Sequence, residues 1–305
     1  MGREILRVSR NCAVAVATGV ALAAAISAGV VGTILVLGGI VASVALHEAA
    51  HLGAARALGV KATEYFVGFG PSVWQRRSGE LRWGLKLLPL GGYVKLVGMD
   101  SGEEVDPVDE PRTFRAQRPG TRAAVSAAGP LANLAVAAVL FLGLGIAGDG
   151  GIVDGVRTGT RQTVDVLGVS AEAVVELPAI GVRSVRAVFD GGDIPAEQRV
   201  LSPVGATRLA DQAVAAGPEL AVGLLALVNV FLGVLNLVPL LPLDGGHIAV
   251  AAADRVASSL ARRPVRVDAR RLRPVAIVVV AALLVLGAAA MVLDIAHPVG
   301  DPFAA

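Results

Sequence analysis

The chain holds a single cysteine, Cys12, among 305 residues. A disulfide within the chain is therefore impossible. A thiolate zinc site is excluded as well, so any zinc must use histidine and carboxylate. Aromatic residues make up only 4% and charged residues only 17%, against 54% hydrophobic. That is too few charges for an ordinary soluble domain. With a mean hydropathy of +0.68, the composition describes a polytopic α-helical membrane protein rich in Ala, Val, Leu and Gly. An excess of one sign is also missing: the formal net charge is +2, too small to point to nucleic acid. The basic residues cluster in particular loops, where they read as topology signals.

What the chain does have is long runs without charge. Cys12 to Leu46 is 35 residues long, more than one span of about 20 residues needs. Residues 1–32 therefore read as an additional N-terminal span or as a signal segment, with Arg3, Arg7 and Arg10 as its basic start. Three further runs are 123–147, 220–243 and 275–293. The expectation is four core spans, one in each of the regions 33–57, 123–147, 220–243 and 275–293. The domain reading follows: 33–147 and 220–305 as the core, and 148–219 as an extracytoplasmic helical segment with no PDZ module. One or two amphipathic helices near the membrane surface are expected in that segment. Three strand-like pieces, 64–71, 81–88 and 91–96, predict a small β-hairpin or sheet after the first core helix. Residues 100–122 carry mixed charge and three prolines, and no regular core is expected there. Seven arginines between 255 and 273 place the stretch 252–274 on the cytoplasmic side. By the same reasoning 57–121 is cytoplasmic and 149–219 lies outside.

At the end of the first run stands His47-Glu48-Ala49-Ala50-His51. On a helix, residues four apart share a face, so both imidazoles can reach one metal ion. Glu48, beside the first ligand, is placed to take a proton from water at that ion. Ionisable groups at the end of a lipid-length segment are costly and mark function by default. The bland alternative is a chance H-x-x-x-H at a membrane surface. A catalytic zinc takes three protein ligands, and only His247 and His297 remain among the histidines. The run 220–243 contains Asn236, Pro239 and Pro242 and ends in Asp244. Prolines free backbone carbonyls that a membrane cannot satisfy, so a broken helix there points to a site. Asp244 is the chosen third ligand. His247, one turn on, is the alternative ligand or a partner that hydrogen-bonds Asp244. Asn133, in a stripe with Ser126 and Gly129, reads first as an interhelical hydrogen bond and second as a site residue. The β-segment is equally a stabilising cap or an edge strand offered to an extended peptide.

His47–His51, Phe69-Gly70-Pro71, Gly91-Gly92-Tyr93-Val94, Ala128-Gly129-Pro130-Leu131-Ala132-Asn133 and the stretch from Asn236 to His247 resemble the site-2 protease family of intramembrane zinc metalloproteases. The actinobacterial branch is the nearest in wording. The resemblance implies one zinc per chain on His47, His51 and Asp244, with Glu48 as general base. It also implies substrate contacts from Asn236 and from Gly92, Tyr93 and Val94. The implied substrates are single-span membrane proteins of the anti-sigma-factor type, cut within the plasma membrane of a multi-pass enzyme whose site faces the cytoplasm. Two rival readings are a membrane-tethered metalloprotease acting on soluble peptides and a non-catalytic metal-binding scaffold or transporter. One departure from the family wording is local: Pro242 stands six residues after Asn236, where five is commoner.

Overall fold

The computed structural model describes residues 31–300, apart from 101, 149, 192–193, 196–197, 268 and 299. The expected N-terminal span or signal segment lies outside the described residues. Among the described residues, four helices are long and apolar enough to cross a membrane. They belong to α1 (Val31–Ala57), α2 (Pro119–Ala147), α5 (Pro218–Asn236) and α7 (Arg273–Ala296). Between them lie α3 (Gly151–Asp190), α4 (Pro203–Ala216) and α6 (Asp244–Ala261). α2 is the central element, packing against α1, α3, α5 and α6. Asn229 of α5 donates to Ser43 Oγ of α1 at 3.0 Å, and Ser43 donates back to the Gly39 carbonyl. That is the interhelical polar contact expected of Asn133, made instead by a different asparagine.

The three strand-like pieces resolve into two strands, β1 (Ala62–Ser78) and β2 (Leu81–Leu96), in one antiparallel sheet. The second and third pieces follow one another in the continuous element β2 and flank 64–67 on both sides: 64–67 pairs with 92–95 and with 82–85. Tyr65 Oη donates to the Ala45 carbonyl at 2.9 Å, which ties the sheet to α1 two residues before His47. Residues 100–118 are more ordered than their composition suggested. Phe114 and Thr113 are buried, and Phe114 joins Ala55, Val60, Leu96 and Val125 in one apolar cluster. Lys61 bridges Glu80 and Asp109 at 2.8 and 2.7 Å, pinning this loop to the β-hairpin turn.

The helix in the run 220–243 breaks around its prolines: α5 ends at Asn236, and a seven-residue turn leads into α6 at Asp244. One further expectation changes. Part of the arginine-rich stretch is helical, since α6 continues to Ala261. Among the described residues between α2 and α5, the regular structure is helical. Its main element is a single 40-residue helix, α3, packed on α2, α5 and α7. Glycine permits that approach. A Cβ on Gly155 would stand 2.6–2.8 Å from backbone atoms of Gly145 and Ile146. Gly155→Val should therefore destabilise the detergent-solubilised protein by about 1–3 kcal/mol, seen as a lower thermal midpoint. Gly168→Ala, with open space around it, should leave the midpoint unchanged or slightly raise it.

Candidate metal centre

His47 and His51 sit in the C-terminal half of α1, one turn apart, and both are buried. Asp244 is the first residue of α6. The helix N-terminus favours its negative charge. The Gly245-Gly246 pair that follows is a packing requirement. A Cβ on Gly245 would collide with the Leu237 and Val238 carbonyls, and one on Gly246 with Leu240 and Leu241. The turn from Asn236 is thus folded tightly back over the start of α6, which aims Asp244 at α1.

The three donor atoms converge. Asp244 Oδ2 lies 3.2 Å from His47 Nε2 and 3.3 Å from His51 Nε2, and the two Nε2 atoms are 3.1 Å apart. A tetrahedral zinc with bonds of about 2.0–2.1 Å requires ligand atoms roughly 3.3 Å apart. His51 Nδ1 lies 2.8 Å from the Val125 carbonyl of α2. A carbonyl only accepts, so Nδ1 carries the proton and Nε2 presents its lone pair to the site. His47, His51 and Asp244 form a potential zinc-binding site on these grounds, and they are the one group of three or more such donors among the described residues.

α2 supplies two features that spacing alone did not reveal. One is the Val125 carbonyl. The other is Gly129, where a Cβ would collide with the Nε2 atoms of both histidines. The small stripe on α2 read as a surface for close helix approach. In the structure its central glycine makes room for the imidazole pair instead.

A cavity of about 360 Å³ opens beside the triad, lined by Glu48, Asn133, Asn236 and the β2 residues Gly92, Tyr93 and Val94, among others. All the residues singled out as substrate contacts therefore meet at one place. A Cβ on Gly92 would stand 3.2 Å from Glu48 Cγ, and the Val94 backbone N–H is turned toward the Glu48 carboxylate. The edge of β2 runs directly past Glu48. Asn133 is buried, and its Oδ1 has no protein partner. His247 is not among the converging donors: it meets the Phe114 ring edge-on, with centroids 6.0 Å apart. Tyr93 Oη donates to Glu64 at 2.6 Å. That hydrogen bond first, with Arg82 adding to it, outweighs partial burial and holds the Glu64 carboxyl below its ordinary value.

With the triad and cavity in place, comparison with known proteins is decisive. The sequence matches the description Peptidase family M50 over residues 35–286. The chain belongs to that family. It is 44% identical over 117 residues to the zinc metalloprotease Rip1 of Mycobacterium tuberculosis, covering 38% of this chain and 29% of that one. It is 42% identical over 120 residues to Rip1 of Mycolicibacterium smegmatis, covering 38% and 30%. The chain thus spans less than a third of the length of these relatives. The family is the one the motifs resembled, and the mycobacterial relatives agree with the actinobacterial wording.

The Gly129 geometry gives a direct test. Gly129→Ala should purify folded yet hold less than about a tenth of the wild-type zinc, because its methyl displaces both imidazoles. Metal analysis of the two proteins after identical dialysis checks this.

Proposed function

We propose that this protein is an intramembrane zinc endopeptidase that hydrolyses peptide bonds in the membrane-spanning segments of single-span proteins. The observation that carries this reading is the depth of the donor set. His47 lies ten residues before the end of α1, and Gly129 ten residues after the start of α2. At 1.5 Å per residue the triad lies about 15 Å in from both helix ends, among helices able to cross a bilayer. Membership of peptidase family M50 supports the same conclusion.

A zinc ion on His47, His51 and Asp244 would supply Lewis acidity at the scissile carbonyl and bring water's acidity near neutrality. The chain's own residues do the rest. Glu48 faces the cavity, takes the proton from the attacking water and delivers it to the leaving amine. Val125 holds His51 in the tautomer that leaves Nε2 free. A substrate helix hides its carbonyls and must unwind before it can be cut. The β2 edge at Gly92–Val94 offers it backbone hydrogen bonds as an added strand, which offsets those lost from the helix. The unpartnered Asn133 Oδ1, together with Asn236, offers polar contacts to the unwound segment.

The orientation rests on charge. The seven arginines between 255 and 273 favour the cytoplasmic face of the plasma membrane for that end of the bundle, and with it for the triad. Anti-sigma-factor-type proteins are the substrate class that the family resemblance suggests.

Glu48→Gln should keep about one zinc per chain while cleaving a single-span substrate at least about 100-fold more slowly. Full activity in that variant would overturn the assignment. Asn236→Ala should keep its zinc and lower kcat/KM about tenfold, the loss of one polar substrate contact.

A further inference from the structure

Among the described residues two buried ion pairs lie outside the metal centre, and they sit in contrasting surroundings. Arg199 and Asp294 are 3.3 Å apart, with side chains 2% and 0% exposed. Asp294 also accepts from the Ser202 N–H at 2.7 Å, so this pair joins the segment leading into α4 to the end of α7. It reaches no residue of the triad or its cavity. Arg122 and Asp254 are 2.5 Å apart, with side chains 9% and 2% exposed. Their placement differs in kind.

Arg122 begins a stripe on α2 that continues through Val125, Ser126, Gly129 and Asn133, all buried. At intervals of three and four residues these share one helix face. The same face holds His51 through Val125 and makes room for both imidazoles at Gly129. Asp254 lies on α6, ten residues after Asp244, or about 15 Å along one continuous helix. Its second oxygen accepts from the Val267 N–H at 2.6 Å, so the chain leading to α7 is tied to the same point. The Arg122 guanidinium lies 5.7 Å from the Phe114 ring centre, and Phe114 in turn meets His247, one turn after Asp244. α2 thus holds α6 directly at Asp254, and indirectly through Phe114 at His247.

We propose that Arg122 and Asp254 are positioning residues for the metal centre. The ion pair fixes the axial setting of α6 against α2, and so sets the distance from Asp244 to a histidine pair that α2 also holds. The pair reaches no reacting atom; it acts through Asp244. This inference rests on the zinc reading of the triad. A slip of α6 by a fraction of a turn would move Asp244 Oδ2 out of the spacing of 3.2–3.3 Å that the donors now share.

The test uses the full chain in detergent, with zinc and cobalt(II) as probes. Arg122→Gln and Asp254→Asn should weaken zinc 10–100-fold in chelator competition, the usual cost of losing support behind metal ligands. The visible absorption of the cobalt-loaded protein should shift, because it reports ligand geometry, and kcat should fall with little change in KM. Arg122→Lys, which keeps the buried charge, should recover most of the affinity. Arg199→Gln is the comparison: it removes an equally buried pair, so it should lower the thermal midpoint yet leave zinc affinity and the cobalt spectrum unchanged. The proposal is overturned if Arg122→Gln and Asp254→Asn hold zinc within twofold of wild type with an unaltered cobalt spectrum. It is equally overturned if Arg199→Gln weakens zinc as much as they do. Failure of the wild type to take up either ion would instead sink the peptidase reading on which the inference stands.

Discussion

Two imidazole nitrogens and a carboxylate oxygen within 3.3 Å of one another crowd three lone pairs into one small volume. Such a cluster is favourable only around a shared cation or proton. Left alone, the side chains would rotate apart. Everything nearby keeps them from doing so. Val125 fixes the tilt of His51, Gly129 leaves no atom where the rings must lie, and the folded-back turn before Asp244 fills the space into which α6 would retreat. The rigidity comes from backbone packing more than from side-chain bonds. That suits a site surrounded by apolar helices, where few polar partners exist.

The same constraint accounts for the division of labour among the helices. α1 carries two donors and Glu48, α6 carries the third donor, and α2 carries none. Yet α2 touches both and presents them to each other. A helix of small residues is suited to that task, since it lets neighbours close on it from several sides. The sheet serves a separate need. It brings an exposed strand edge past Glu48 and is held there by the Tyr65 hydrogen bond to α1.

The parts of the fold that were legible in the sequence are those with a local cause. Uncharged runs of lipid length became spanning helices, and the four-residue spacing of His47 and His51 put both rings on one face. Asp244 was identified by elimination, from a scarcity of other donors near membrane depth. What stayed hidden depends on contacts between distant segments. Nothing local to Gly129 says that its missing side chain is occupied by imidazoles from another helix. Likewise Asn133 and Asn229 look alike in sequence, and only packing decides which one bonds across the bundle and which faces the cavity. α3 was read as lying near the surface because its charges mask an apolar face, and the glycines that let it close on α2 acquire meaning only once their partner is known.

The donors are far apart along the chain, with nearly two hundred residues between His51 and Asp244. Ribosomal synthesis runs from one end to the other. A growing chain that has already placed α1 and α2 in the membrane holds both histidines and Glu48 but not the third donor. Until residue 244 has been added it lacks the full ligand set of the potential zinc site, and it passes through most of its own synthesis without one.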